Sequence, residues 1–270
     1  MGKLIYAIRR EEALSPGKVE EDAAILEAVL SPLEARGLRV IRLKAEDLAP
    51  APPRDALGVL HMVQGPQGLG LLEGWEAAGL SLINPAAAVR ACYRRHLFAR
   101  LAGRIACPET RIFTLAEARE WGNETFPGPG WLKRAEIHAE GPGDVVLVDS
   151  LNAALAVLND FSRRGIDLLA WQEHISGREI KFYGVGPGRF FQAFWAATGE
   201  PWAGEPRDPL SELAHRAAAL TGLMVFGGDA ILTPENTLYL IDLNDWPSFS
   251  RCRELAAREI VKHVQELWRL

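Results

Sequence analysis

Two carboxylates and one carboxamide stand in the segment of this chain that most directly suggests chemistry. Asp229 lies in the apolar run GLMVFGGDAIL. Asp242 follows 13 residues later in a second apolar run, LYLIDLN, and Asn244 comes two positions later on the same face of the expected strand. The segment TPENT between the runs favours a turn, so the two runs are expected to form a hairpin. Folding Asp229 back onto Asp242 gathers three oxygen donors of the kind that Mg2+ prefers beside phosphate. The pattern predicts a metal site for a nucleotide; the competing interpretation is that both aspartates only end strands on a solvated edge.

The first third of the chain alternates short apolar strands with helical patterns. Strands separated by helices at this interval indicate a parallel α/β lobe. The expected strands are 3–9, 38–43, 58–65 and 80–84, and the expected helices are 18–36 and 71–78.

The remainder of the chain predicts two smaller α+β lobes. An amphipathic helix is expected over 86–102, and 107–172 has the pattern of a small α+β lobe. Residues 173–250 alternate like antiparallel strands around a helix at 208–221, and 252–269 predicts a closing helix.

Composition bounds the class of protein. With 270 residues, 48% of them hydrophobic, the chain can bury a sizeable core in one multi-lobed domain or two small ones. It has no apolar run long enough to span a membrane and no signal-peptide pattern at its start, so a cytoplasmic protein with no membrane contact is expected. A net charge of −5 with interleaved signs gives no basic stripe, which argues against nucleic acid as a partner. Cys92, Cys107 and Cys252 lack paired metal spacing and are expected to be free thiols.

Lysine is scarce in this chain, so a lysine inside an apolar strand is informative. Only six of the 30 positively charged side chains are lysines, and Lys133 and Lys181 both stand in apolar strands. Lys133 precedes a loop with Gly141 and Gly143, where an ammonium beside flexible backbone amides can cradle a phosphate; the alternative is a surface lysine. His138 in this loop could donate to a phosphate or a substrate, or could be a solvated histidine.

Four blocks of sequence, in order, resemble the ATP-grasp superfamily. They are LINPAAAVRACYRRHLFARLAGRIACPET at 82–110, WLKRAEIHAEGPGDVVLV at 131–148, WQEHISGREIKFYGVG at 171–186, and the segment that carries the two aspartates and Asn244. The resemblance implies an α/β and α+β protein of the ATP-grasp fold, in which two α+β lobes sandwich ATP. It implies an N-terminal parallel α/β lobe at 1–85 and an ATP-grasp domain at 86–270, which divides into a central lobe with the phosphate loop at 86–172 and a C-terminal lobe with the metal site at 173–270.

The resemblance also implies roles by position. Mg2+, or Mn2+ in its place, would be held by Asp229, Asp242 and Asn244 and would bridge the phosphates of ATP. Lys133 matches the lysine that contacts the α-phosphate. Glu179 matches the acid that holds the ribose hydroxyls.

The segment WQEHI resembles the hinge at which the superfamily recognises adenine. Gln172 would supply a side-chain contact, and Glu173 and Ile175 would supply main-chain contacts. Arg95, or Arg94 beside it, falls where many members carry a first phosphate-binding lysine.

Lys181 lies two residues beyond Glu179 on the same strand face. The resemblance implies that it meets the γ-phosphate or the acyl-phosphate, as a basic residue does there in some ligases of the superfamily. One position departs from the family pattern. Gly227 stands where ligases similar to D-alanine:D-alanine ligase carry an arginine aimed at the oxyanion, so the amide-forming step would need another donor, Lys181 or Arg251. Ser248 and Ser250 could bind a substrate carboxylate near Arg251, or could cap the final helix.

The function that the resemblance implies is an ATP- and Mg2+-dependent ligase that joins a carboxylate to an amine through an acyl-phosphate. The missing arginine keeps open a small-molecule kinase of the same fold, similar to inositol-phosphate kinases. A non-catalytic nucleotide-binding protein is the third interpretation. The expected partners are ATP and an unidentified small-molecule or peptide substrate, and homo-oligomerisation stays open.

Overall fold

A computed structural model describes residues 3–15, 17–136, 141–202 and 208–270, whose strands form three four-stranded sheets. The first sheet is parallel and lies in the N-terminal part of the chain. Ile25, Val29 and Leu33 recur at helical spacing on the buried face of its first helix, which packs that helix against the sheet. The elements are β1 (Leu4–Arg9), α1 (Val19–Ala35), β2 (Arg39–Lys44), β3 (Ala56–His61), α2 (Pro66–Ala77) and β4 (Leu82–Ile83), with strand order β2-β1-β3-β4.

The second sheet is antiparallel and is covered by helices on one face. Leu132 and Trp171 point to those helices, so their neighbours Lys133 and Gln172 point to the open face. Helices α3 (Ala86–Ala91) and α4 (Arg94–Leu101) precede it. Its elements are β5 (Thr110–Thr114), α5 (Leu115–Arg119), β6 (Gly130–Arg134), β7 (Val145–Val148), α6 (Leu151–Arg163) and β8 (Leu168–Glu173), with strand order β5-β8-β6-β7.

The third sheet is also antiparallel and supports the candidate site. Helix α7 (Pro209–Thr221) covers one of its faces through an apolar cluster that includes Phe182, Phe226 and Leu243. Asp208 caps the start of α7, and Gly222 ends it in the left-handed conformation. The elements are β9 (Arg178–Val185), β10 (Phe190–Trp195), α7 (Pro209–Thr221), β11 (Val225–Leu232), β12 (Leu238–Asp245) and α8 (Arg253–Leu267), with strand order β10-β9-β11-β12.

The helix predicted over 86–102 is in fact two helices. Tyr93 has an extended backbone between α3 and α4, with φ −60° and ψ 131°, and its hydroxyl donates to the carbonyl of Gln64 at 2.5 Å. The break comes from this long-range anchor, because the helical spacing of apolar residues continues through it. As a result Arg94 is the first residue of α4.

The C-terminal helix α8 packs along α1 and joins the first and third sheets in one core. Ile260 and Val264 of α8 contact the same apolar cluster as Leu30 of α1 and Val225 of β11. Within the described ranges, no helix combines the length and apolarity needed to cross a membrane.

Candidate active site

Three charged side chains form a row across the third sheet. Lys181 of β9 pairs in register with Asp229 of β11, which pairs in register with Asp242 of β12. The Nζ of Lys181 lies 2.7 Å from Oδ1 of Asp229. The hairpin predicted from the sequence is present, and its turn is closed by a hydrogen bond from the Thr233 N–H to the carbonyl of Thr237 at 2.9 Å. The hairpin therefore brings the two carboxylates side by side.

Asn244 lies two residues beyond Asp242 on the same face of β12. It pairs in register with Gly227, and with Asp229 and Asp242 it lines a cavity of about 400 Å3. Two carboxylates and an amide carbonyl form a hard-oxygen donor set that suits Mg2+ together with phosphate oxygens. Among the described residues there is no group of three or more His, Cys, Asp or Glu side chains that could hold a metal ion.

Each of the two carboxylates is paired with a positively charged side chain. Lys181 is bonded to Asp229, and Arg94 Nη2 lies 3.2 Å from Oδ2 of Asp242. Arg94 is only 5% exposed and also donates to the carbonyl of Arg134 at 3.0 Å. Of the two arginines considered from the sequence, Arg94 is therefore the one that reaches the carboxylates. The guanidinium of Arg95 lies 5.9 Å from the centre of the Tyr93 ring.

The protonation of this row follows from burial and charge. Burial raises the pKa of Asp229, and the charge of Lys181 opposes that shift. Burial by itself would lower the pKa of Lys181, but the charge and hydrogen bond of Asp229, together with Glu179, hold it above its ordinary value. Lys181 is therefore an ammonium at neutral pH.

Lys133 is a buried lysine on the open face of the second sheet. It is 6% exposed, so the alternative of a surface lysine is wrong. Its Nζ donates to Oε1 of Gln172 at 2.5 Å, and Gln172 in turn donates to Oγ1 of Thr110 at 3.1 Å. Burial lowers the pKa of Lys133 to about 8, although the charges of Asp242 and Asp229 favour its ammonium form. Lys133 is thus close enough to both carboxylates for their charges to influence it.

The hinge segment ends strand β8 beside Lys133. The N–H of Glu173 donates to the carbonyl of Glu109 at 2.9 Å, so this main-chain donor is already used. Ile175 lies beyond the end of β8 and is the remaining candidate for the main-chain donor to adenine.

Glu179 lies on β9 two residues before Lys181, which is part of the carboxylate row. Its carboxylate lies 3.5 Å from the Nζ of Lys181 and is 44% exposed. Both residues line a second, open cavity, which Trp195 also lines. The guanidinium of Arg178 covers the Trp195 ring at 3.5 Å from its centre. Glu179 therefore faces a space that adjoins the carboxylates.

The loop after β12 has a strained backbone held by buried aromatic residues. Trp246 and Phe249 are fully buried and have positive φ angles of 33° and 48°. Such angles are uncommon outside glycine, and strained backbone of this kind is enriched at active sites and ligand-binding segments. The loop turns Pro247, Ser248 and Ser250 toward the cavity of about 400 Å3.

Arg251 ends this loop at the rim of the same cavity. Its Nη1 donates to the carbonyl of Trp195 at 2.9 Å, and its Nη2 donates to the carbonyl of Ala196 at 3.2 Å. Tyr183, which the sequence did not single out, also lines the cavity. Arg251 thus ties β10 to the loop as well as facing the cavity.

The structure explains why position 227 carries glycine. A Cβ atom on Gly227 would lie 2.7 Å from Cγ of Pro247 and 2.9 Å from the carbonyl of Phe182. No side chain fits there without a shift of the backbone or of Pro247. The loop after β12 therefore occupies the path that an arginine at 227 would need.

The N-terminal lobe contributes residues that sequence reasoning missed. Arg10 Nη1 pairs with Asp22 at 2.9 Å, and its Nη2 donates to the carbonyl of Trp246 at 2.8 Å. Gln64 Nε2 donates to Oδ1 of Asp245 at 2.8 Å. Arg10 and Gln64 follow the carboxyl ends of β1 and β3, where ligands of parallel sheets bind, and that position was a usable signal.

One predicted residue falls outside the described part of the chain. His138 lies between 136 and 141. Its proposed contact with a phosphate or substrate stays a prediction.

Comparison with known proteins gives structural likeness at low sequence identity. No family model matches the sequence, and no curated protein matches it. A RimK-domain ATP-grasp protein from Sphaerobacter thermophilus has a TM-score of 0.72 at 20% identity, covering 96% of this chain and 99% of that one. D-alanine–D-alanine ligase from Bacillus anthracis, complexed with ATP, has 0.76 at 11%, covering 99% of both. VanG D-Ala:D-Ser ligase from Enterococcus faecalis has 0.74 at 13%, covering 99% of this chain and 100% of that one.

The TM-scores and coverages establish the fold alone, because the sequence identities are low. The arrangement of one parallel and two antiparallel sheets agrees with the likeness. The fold predicted from the four sequence blocks is confirmed.

Proposed function

Because the chain has the ATP-grasp fold, we propose that it is an ATP- and Mg2+-dependent ligase that joins a small-molecule or peptide carboxylate to an amine. The observation that carries the proposal is the row of Lys181, Asp229 and Asp242, with Asn244 beside it and Lys133 opposite. The ligases among the similar structures, one of them complexed with ATP, support this class of reaction.

Phosphoryl transfer is the first step of the proposed reaction. A carboxylate oxygen of the substrate attacks the γ-phosphorus of ATP, the bond to the β-γ bridging oxygen breaks, and ADP leaves. Divalent metal held by Asp229, Asp242 and Asn244 would neutralise charge on the phosphate oxygens. Lys133 would bind the phosphates from the opposite sheet, and Lys181 would stabilise the transferred group.

Nucleotide binding would orient ATP for that step. Gln172 and the main chain of Glu173 and Ile175 would recognise adenine, and Glu179 would accept from the ribose hydroxyls. These assignments are supported by the position of Gln172 on the open face of the second sheet, of Glu173 and Ile175 at and just beyond the end of β8, and of Glu179 at the cavity beside β9.

The second step joins the two substrates. An amine nitrogen attacks the acyl carbon, the bond to the phosphate oxygen breaks, orthophosphate leaves, and the nitrogen loses a proton. Ser248, Ser250 and Arg251 would hold a substrate carboxylate at the cavity wall, a role that their place on the strained loop supports.

A small-molecule kinase of the same fold is the second candidate. Pro247 fills the space beside Gly227, so no arginine can reach an oxyanion from that position. A kinase needs no such donor, because its reaction ends when a hydroxyl has taken the γ-phosphate. The donor set of two carboxylates and an amide argues against a protein that only binds nucleotide.

The first prediction separates these functions. Purified protein with ATP, Mg2+ and hydroxylamine is expected to form a hydroxamate from at least one member of a panel of amino acids, small organic acids and short peptides. Hydroxylamine traps the acyl-phosphate, so ADP, orthophosphate and hydroxamate should appear in equal amounts. ADP release and the coloured iron(III)–hydroxamate complex measure the outcome, and reactions without the acid are the control. If the protein phosphorylates a polyol and forms no hydroxamate from any acid, the proposed ligase function is wrong and the kinase function takes its place.

The second prediction concerns the charge of Lys133 and nucleotide affinity. Its pKa of about 8 is below the ordinary value because the side chain is buried, so the ammonium that meets phosphate is lost as the pH rises through that value. The dissociation constant for ADP is expected to rise about tenfold between pH 7 and 9. In Lys133→Met, ADP should bind about 10- to 100-fold more weakly at pH 7, the loss of one charged hydrogen bond, and this pH dependence should disappear.

Adenosine and a second variant provide the controls for Lys133. Adenosine lacks phosphate, so Lys133→Met should leave its affinity unchanged, whereas Glu179→Ala should weaken ADP and adenosine alike because the lost contact is to the ribose. Calorimetric titration measures both ligands. Equal losses of adenosine affinity in the two variants would mean that the cleft has been assigned wrongly.

A further inference from the structure

The two carboxylates of the candidate metal site are already neutralised within the protein. Asp229 is bonded to Lys181 at 2.7 Å, and Asp242 is paired with Arg94 at 3.2 Å. The ammonium of Lys181 stands at an oxygen that a metal would need, so it occupies the place of a cation. The set thus contains two negative charges and two positive charges before any ligand enters.

We propose that Lys181 and Arg94 are exchangeable counter-ions, which hold the metal-site carboxylates in the free protein and transfer to phosphate oxygens when nucleotide binds. This inference rests on the proposed function, because it takes Asp229 and Asp242 as metal ligands and ATP as the nucleotide. Its consequence is that divalent metal binds weakly to the free protein and tightly only together with nucleotide.

Electrostatics gives the reason for this coupling. A divalent ion that approaches Asp229 alone must displace or face the ammonium of Lys181, and at Asp242 it faces the guanidinium of Arg94. Phosphate groups offer both cations a new partner and offer the metal additional oxygen ligands. Each ligand therefore improves binding of the other, and the coupling is reciprocal.

The two cations differ in how far they can move. The side chain of Lys181 is 40% exposed, and Glu179 at 3.5 Å is a second acidic neighbour within its reach. Arg94 is 5% exposed and is also held by the carbonyl of Arg134. Lys181 is thus the cation that leaves its carboxylate more easily, and the exchange at Asp229 controls the entry of metal.

The third prediction tests the exchange by metal binding. Mn2+ is titrated into the full chain by calorimetry and electron paramagnetic resonance, with and without β,γ-methylene-ATP, which cannot transfer its γ-phosphate. In the wild-type protein the nucleotide analogue is expected to tighten Mn2+ binding at least tenfold. Lys181→Met should bind Mn2+ without nucleotide at least tenfold more tightly than wild type, and its gain from the analogue should shrink.

Lys262→Met is the matched control. Lys262 pairs with Glu259 on the exposed face of α8, so its removal changes the net charge equally and should leave Mn2+ binding as in wild type. Equal affinity of wild type and Lys181→Met for Mn2+ in the absence of nucleotide would overturn the exchange. If Lys181→Met does not fold, the wild-type titrations decide, since equal Mn2+ affinity with and without the analogue also overturns it.

The same titrations keep this inference apart from the proposed function. If the protein binds the analogue and Mn2+ independently of each other, the proposed exchange of counter-ions is wrong, but the proposed nucleotide and metal site is retained. A protein that binds neither the analogue nor Mn2+ in its presence loses the proposed function itself.

Discussion

Asp242→Asn is expected to reduce ATP turnover by about 10²- to 10³-fold while the fold persists. The change removes a charged oxygen ligand from the site that would neutralise the transferred phosphoryl group, and loss of one such stabilising contact commonly costs this much. Asparagine has nearly the same shape and can still accept a hydrogen bond from Arg94, so the buried guanidinium keeps a partner. ADP release at saturating Mg2+ measures turnover, and circular dichroism checks the fold.

Glu235→Gln is the matched control for this prediction. Glu235 is exposed in the turn of the same hairpin, so the substitution removes the same charge without touching the cavity. Asn244→Ala should reduce turnover in the same direction as Asp242→Asn, because it removes the third oxygen donor. ADP release at the wild-type rate in both cavity variants would show that these residues hold no metal.

The hairpin of the candidate site was predictable because its signals are local. Apolar residues alternate on both sides of TPENT, and the turn residues favour a short connection, so Asp229 could be placed beside Asp242 from the sequence. A β-bulge after Asp229 shifts the register, and no local pattern marked it. The bulge lies beyond the aspartate pair, so the prediction of that pair survived it.

The choice between Arg94 and Arg95 could not be made from the sequence. Both residues lie in one continuous helical pattern, and a difference of one residue decides which side chain faces the carboxylates. The helix break at Tyr93 fixes this choice, and it depends on the hydroxyl of Tyr93 bonding Gln64 in a different lobe. Contacts over such sequence distances leave no periodic signal in the chain.

The N-terminal wall of the cavity was missed although the carboxyl ends of β1 and β3 offered a positional signal. Arg10 and Trp246 are neighbours only because the first and third sheets share a core with α8. The glycine at 227 had been noted as a missing arginine, but that Pro247 fills its place became visible only in the folded loop. The four sequence blocks predicted the order of the site segments along the chain. They did not predict which residues of the first and third sheets are in contact.

Lys181→Met is expected to reduce the rate of hydroxamate formation by about 10²- to 10³-fold with little change in ATP affinity. Lys181 stands next to Asp229, where the γ-phosphate would lie, so its charge is needed most when phosphoryl transfer and the tetrahedral step develop negative charge. Loss of one preorganised donor to such a transition state costs about 2.7–4 kcal/mol of barrier. Removal of Lys181 also frees Asp229 for the metal, which offsets the lost contact to phosphate, so ATP affinity should change little. The rate of iron(III)–hydroxamate formation and the dissociation constant for ATP check the two halves of this prediction.

Arg251→Met distinguishes Lys181 from the other donor that could replace the missing arginine. The guanidinium of Arg251 already holds the carbonyls of Trp195 and Ala196, so its loss should loosen the loop and raise the KM for the carboxylate more than it lowers kcat. Lys181→Arg keeps the positive charge but not the compact geometry of the ammonium, so it should retain only part of the rate. A large fall in kcat for Arg251→Met together with normal hydroxamate formation by Lys181→Met would assign the stabilising charge to Arg251 instead.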